Sequence, residues 1–105
     1  MLDISIHELK ERIDAGTAPM LIDVREPHEY EAYHLDAQLI PLGTLHARAE
    51  ELSEFKDKEI VMYCRSGGRS GQAQQYLTSL GFSAVRNLTG GMLAWTAAFD
   101  PQKSI

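Results

Sequence analysis

The sequence predicts an α/β fold: a small, mainly parallel sheet with helices on both faces. Three observations carry this. Short apolar runs of β type alternate with helical patterns along the chain. The links between them are short, with no internal repeat, linker or low-complexity segment. The residues best suited to chemistry fall where two of the apolar runs end, and in such sheets ligands bind beyond the carboxyl ends of the strands.

Each element has its own signal. Ser5 and Glu8 have the spacing of a capping box, Ile6, Leu9 and Ile13 repeat at helical spacing, and Gly16 marks the stop. This predicts a helix over 6–15. A Gly-Thr-Ala-Pro turn precedes an apolar strand over 20–24. Pro27 suits the first turn of a brief helix through Tyr33. Residues 38–40 read as a short strand before Pro41, and Thr44 reads as the cap of a helix reaching about Leu52. A second strong strand spans 59–63, with Cys64 at its carboxyl end. A helix follows over 69–80, with Ala73, Tyr76, Leu77 and Leu80 on one face and Gly81 at the stop. A strand over 84–88 and a last helix opened by Gly90 and Gly91 complete the chain. Met92, Leu93, Trp95 and Phe99 lie on that helix, and Met92, Trp95 and Phe99 read as core.

The chain has 105 residues, which suits one domain spanning 1–105. Apolar residues make up 44%, enough for a core. The net charge of −5 and the lack of a Lys/Arg cluster disfavour nucleic acid as a partner. No apolar stretch approaches the length that crosses a membrane. From Met1 onward no basic region precedes an apolar one, so no signal peptide is expected. A single cysteine cannot form an internal disulfide. Together these lead us to expect a reducing, cytoplasmic setting.

Cys64 is that single cysteine, and the run after it looks built to hold an anion: Arg65, Ser66, Gly67, Gly68, Arg69 and Ser70. A free thiol has a pKa near 8.5, so only about 3% is thiolate at pH 7. Three features push that value down here. Arg65 and Arg69 supply positive charge, and no acidic residue lies between Cys64 and Leu80. The start of the next helix adds unpaired N–H groups and a positive dipole end, worth about 0.3–1 kcal/mol. Gly67 and Gly68 let successive N–H groups turn inward as an anion-binding nest. A buried structural cysteine is the plainer alternative, but a core strand does not need a polar, cationic, glycine-rich flank. The loop suits a small anionic substrate better than a polyanion.

The other candidates are weaker. Asp23 and Arg25 are supporting candidates whose plainer reading is a structural ion pair or a brace for the loop. His7, His28, His34 and His46 have no metal-ligand spacing with a cysteine or one another, so no metal is assigned. Ser66 and Ser70 can donate to a bound anion, or Ser70 can cap its helix.

At this point the chain resembles a single-domain rhodanese, a persulfide-forming sulfurtransferase, over roughly 5–98. The run Leu21-Ile-Asp-Val-Arg-Glu-Pro-His-Glu-Tyr resembles the family's first signature. Ile60-Val-Met-Tyr-Cys-Arg-Ser-Gly-Gly-Arg-Ser resembles its active-site loop. Gly81-Phe82, Val85 and Asn87-Leu-Thr-Gly-Gly-Met-Leu-Ala-Trp resemble its closing signature. The resemblance implies that Cys64 accepts a sulfane sulfur as a persulfide and passes it to a thiophilic acceptor, cyanide or a thiol, including a thiol protein. It implies that N–H groups from Arg65 to Ser70 cradle that sulfur, and that Arg65 and Arg69 attract a donor such as thiosulfate. It implies no cofactor. The chain departs from the family at Tyr33-His-Leu-Asp-Ala-Gln, where the pattern is usually Gly-His-Ile-Pro-Gly-Ala, and is one residue shorter before Pro41.

Two other functions use similar parts. A persulfide carrier or sulfur-sensing module keeps the same residues without rapid turnover of small substrates. A phosphatase or arsenate reductase also sets Cys and Arg around an anion. Such phosphatases have five residues between the two, whereas Cys64 and Arg69 enclose Arg-Ser-Gly-Gly. A reductase cycling through a disulfide also needs a second thiol.

Overall fold

The computed structural model describes residues 3–103 and 105. It forms a five-stranded sheet in which all four pairings are parallel. In chain order the elements are β1 (Asp3–Ile4), α1 (Ile6–Asp14), β2 (Met20–Asp23), α2 (Pro27–Ala32), β3 (Gln38–Leu39), α3 (Leu42–Arg48), a 3₁₀ segment (Ala49–Phe55), β4 (Ile60–Tyr63), α4 (Gly68–Ser79), β5 (Val85–Leu88) and α5 (Gly91–Phe99). The strands lie in the order β1-β5-β4-β2-β3, so β4 is central, between β5 and β2.

The two faces of the sheet account for the apolar pattern. Successive strand side chains point to opposite faces. Along β4, Ile60 and Met62 join Ile22, Leu45, Leu52 and Leu77 in one layer. Val61 and Tyr63 join Leu9, Leu88, Met92 and Trp95 in the other. A strand covered on both sides reads as an unbroken apolar run, and all four β4 residues are buried. Cys64 follows β4 and falls in the layer of Ile60 and Met62, beside α4.

Four local readings are corrected. β1 has no counterpart in the sequence reading. It is two residues long, too short for a period, and exists through pairing of Asp3 with Asn87 and Ile4 with Leu88. Thr44 is not a cap: α3 starts at Leu42 after Pro41, and the Thr44 hydroxyl donates to Pro41 O at 2.9 Å. The stretch that should have continued that helix to Leu52 is 3₁₀ from Ala49. At α1, Ser5 Oγ accepts from Glu8 N at 3.0 Å, but Glu8 turns its carboxylate to Arg86. A long-range charge therefore outcompetes the return half of the capping box. The remaining helices and strands fall within one or two residues of expectation.

Among the described residues no helix is long and apolar enough to cross a membrane.

Candidate active site

The site is built at the carboxyl end of β4. The chain leaves the sheet at Cys64, turns through Arg65 and Ser66, and enters α4 after Gly67. Gly67 has φ +113°, a conformation closed to most other residues. This turn aims the first N–H groups of α4 back at the thiol. Gly67 N lies 3.1 Å and Ser70 N 3.4 Å from Cys64 Sγ. The Ser70 hydroxyl is 3.3 Å from the same sulfur. Ser70 therefore faces the thiol rather than capping its helix. The cap position is Gly67, which has no side chain to accept from the first-turn N–H groups.

Cys64 is buried, and burial alone pushes a thiol pKa up. Hydrogen bonds from the Ser70 hydroxyl, Ser70 N, Gly67 N and Ser66 N overcome that penalty and hold the pKa below its ordinary value. The pKa shift has the direction expected from the sequence, but these lowering causes are hydrogen bonds, whereas the sequence reading also invoked fixed arginine charge. The Ser70 hydroxyl has one proton and two acceptors in reach. Asn87 Oδ1 lies closer, at 2.6 Å, than Sγ at 3.3 Å. We therefore treat the two backbone donors as the fixed part of the cradle and the hydroxyl as shared. Asn87 also donates from Nδ2 to Gly67 O at 3.1 Å, so this β5 residue ties down both ends of the cradle.

The two arginines differ. Arg65 is exposed, and its guanidinium has no ion-pair partner among the described residues. Arg69 gives Nη1 and Nη2 to Glu29 at 2.7 and 3.0 Å. It sits near enough to Cys64 to respond to the thiolate, but its charge is matched first by Glu29. Glu29 in turn is held near pH 2, chiefly by the Arg69 bond.

Asp23 and Arg25 lie beneath this surface. Both side chains are fully buried and meet through three guanidinium bonds, from Nε to Oδ1 at 3.0 Å and Oδ2 at 3.1 Å and from Nη2 to Oδ2 at 2.8 Å. Asp23 Oδ1 also accepts from Arg25 N at 2.9 Å. Arg25 Nη2 donates to Tyr33 O at 2.6 Å. The Tyr63 hydroxyl, at the end of β4, accepts from Leu35 N at 3.1 Å. The pair is an ion-paired brace under 33–38, the segment with the unusual sequence. Among the described residues, neither side chain of the pair hydrogen-bonds to Cys64 Sγ.

The amino end of α5 closes the site from the other side. Met92 N donates to Cys64 O and Leu93 N to Arg65 O, each at 2.9 Å. Gly91 makes this approach feasible. A Cβ there would lie 2.5 Å from Cys64 O and 2.7 Å from Arg65 O.

Glu29 and Asn87 were not singled out by sequence reading. Both stand inside segments quoted for the family resemblance, but their partners lie 40 and 17 residues away. No local period marks such contacts. Among the described residues no group of His, Cys, Asp and Glu is arranged to hold a metal ion. A half-open cavity of about 570 Å³ lies elsewhere, lined by Leu21, Tyr33, Leu35, Trp95 and Phe99 among others. Cys64 does not line it, so the cavity's size does not move the chemistry away from the thiol.

Hydrogen-bond donors converging on a lowered-pKa thiol, at the strand ends of a parallel sheet, make a candidate cysteine site on an α/β scaffold. The rhodanese-like domain model matches residues 5–98, and the chain belongs to that family. It is 43% identical to a putative sulfurtransferase of Bacillus subtilis, YtwF, over 95% of both chains. It is 38% identical to the probable adenylyltransferase/sulfurtransferase MoeZ of Mycobacterium tuberculosis, over 93% of this chain and 25% of that protein. The chain thus spans about a quarter of the length of MoeZ, and about half that of a second curated relative. Among solved structures, the human single-domain sulfurtransferase TSTD1 superposes with a TM-score of 0.78, covering 99% of both chains at 26% identity.

Proposed function

We propose that this protein is a sulfurtransferase that carries a sulfane sulfur as a persulfide on Cys64. The observation that carries the reading is the cradle itself, with Gly67 N, Ser70 N and the Ser70 hydroxyl converging on one buried sulfur. The family and the names of its relatives support sulfur transfer as the reaction class.

With thiosulfate as donor, the Cys64 thiolate attacks the outer sulfur. A new S–S bond forms to Cys64, the S–S bond of thiosulfate breaks, and sulfite leaves with the electron pair. The charge moves one atom outward onto the terminal persulfide sulfur, and the N–H groups of the loop from Arg65 to Ser70 are the donors assigned to receive it. A thiolate or cyanide then attacks the terminal sulfur. The Cys64 thiolate leaves, and the product is a persulfide or thiocyanate. No net oxidation occurs over the cycle, and the hydrogen bonds that lower the Cys64 pKa favour the thiolate that attacks. Arg65, exposed and without an ion-pair partner among the described residues, is the recruiting charge for an anionic donor. The single free cysteine supports a reducing compartment, and we place the protein in the cytoplasm.

Intact-protein mass before and after thiosulfate tests the reading. A gain of one sulfur, about 32 Da, that is lost on adding cyanide is expected of a persulfide cycle. Cys64→Ser should lose the gain entirely while keeping the far-UV spectrum of the parent. Sulfur uptake by that variant would reject Cys64 as the carrier. One round of transfer without further turnover would identify a carrier rather than an enzyme.

A further inference from the structure

The loop offers two arginines to an incoming anion, but the fold cancels one of them. Both terminal nitrogens of Arg69 are taken by the Glu29 carboxylate, at 2.7 and 3.0 Å. Glu29 is itself fixed, because the same Oε1 accepts from Glu26 N at 3.0 Å. Its side chain is 16% exposed, against 34% for Arg69, so the carboxylate lies under the guanidinium instead of floating in solvent. The charge of Glu26 also acts on Arg69. Arg69 therefore faces two carboxylates, and of the two loop arginines only Arg65 has no ion-pair partner among the described residues. A dianion gains little from such a mouth, while a donor of low charge loses nothing.

We propose that Glu29 is a specificity-determining residue. By withdrawing Arg69 from anion recruitment, it biases the site away from doubly charged donors such as thiosulfate and toward low-charge persulfides. This rests on the persulfide reading above. The mechanism is electrostatic selection at the mouth, with the thiol chemistry untouched.

The test compares sulfur loading of Cys64 in the full chain from two probes, thiosulfate and cysteine persulfide, read by intact mass. Glu29→Gln keeps an oxygen acceptor for Glu26 N and removes only the charge. It should lower the half-saturating thiosulfate concentration about threefold or more, and leave that for cysteine persulfide within roughly twofold. The gain should shrink as salt is raised. It should be missing when Glu29→Gln/Arg69→Gln is compared with Arg69→Gln. In the unaltered protein, thiosulfate loading should depend only weakly on salt, a result that needs no variant. Equal shifts for both donors, or no shift for thiosulfate, would overturn the proposal while leaving the persulfide reading in place. Failure of the unaltered protein to load from either donor would overturn the persulfide reading, and the proposal with it.

Discussion

The thiol of Cys64 owes its chemistry to donors that are close but unequal. Backbone N–H groups cannot rotate away, whereas the Ser70 hydroxyl is claimed by both Sγ and Asn87 Oδ1. Ser70→Ala isolates its share. The hydroxyl lowers the Cys64 pKa, so its loss should move the midpoint of alkylation by iodoacetamide to higher pH. The rate at neutral pH should fall accordingly, because less thiolate is present below the midpoint. An unchanged midpoint would assign the whole shift to the backbone. Asp23 and Arg25 carry a different kind of weight. Replacing Asp23 by Asn would leave the fully buried Arg25 cation without its counter-charge. Losing one partner of a buried pair costs about 3–5 kcal/mol. Urea denaturation of Asp23→Asn should show a loss of that order, and a loss below about 1 kcal/mol would mean that water reaches Arg25.

At the scale of elements, the cradle depends on three segments meeting. β4 ends at Cys64, α4 begins at Gly68, and α5 begins at Gly91. The first two are adjacent in sequence, and their junction was legible from the apolar run, the glycines and the helical pattern. The third was not. Gly90 and Gly91 read as a turn, and they are one, with φ +81° and +57°. That Gly91 also lets the backbone of α5 touch the backbone of Cys64 and Arg65 is a tertiary fact. Gly91→Ala should therefore cost more than the about 1–2 kcal/mol of a left-handed alanine. The added Cβ meets carbonyl oxygens that cannot turn aside, so the loop must shift. The expected signature is a loss of sulfur loading larger than the loss of helical content. Full loading in Gly91→Ala would show that the cradle tolerates movement of its floor. The 3₁₀ stretch after α3 marks the same limit of local reading. Ala49 and Leu52 are buried as an amphipathic α-helix would bury them, yet the local hydrogen bonding is 3₁₀.

Across the whole molecule, one short sheet separates two apolar layers, and the site lies where strands of that sheet end. Met62 faces one layer and Leu88 the other. Both are fully buried, so truncation of either to alanine should cost about 2–5 kcal/mol. Because both layers share β4 and β5, each variant should unfold in one transition, displaced as a whole. Two resolved transitions in either variant would mean that the layers fold separately. The charged groups follow the same architecture. Glu8 and Glu59 converge on Arg86, and Glu59 also pairs with Arg12, in a partly exposed cluster. Glu29 and Arg69 meet over the strand ends. Only the second pair bears on the thiol.

The sequence by itself determined the α/β class, the position of the lone thiol at a strand end and the identity of the loop that surrounds it. Those depend on neighbours: a run of apolar residues, two glycines and the start of a helix, all within a dozen positions of Cys64. Tertiary structure alone decided which charges count. Arg69 looked free because no acid lies near it along the chain, and it is paired because α2 lies beside α4 in space. Asn87 read only as a strand residue within the closing signature, and it holds the cradle because β5 pairs with β4. Pairing across 40 or 17 residues leaves no period in a sequence, since it is fixed by the order of strands in the sheet and not by spacing along the chain.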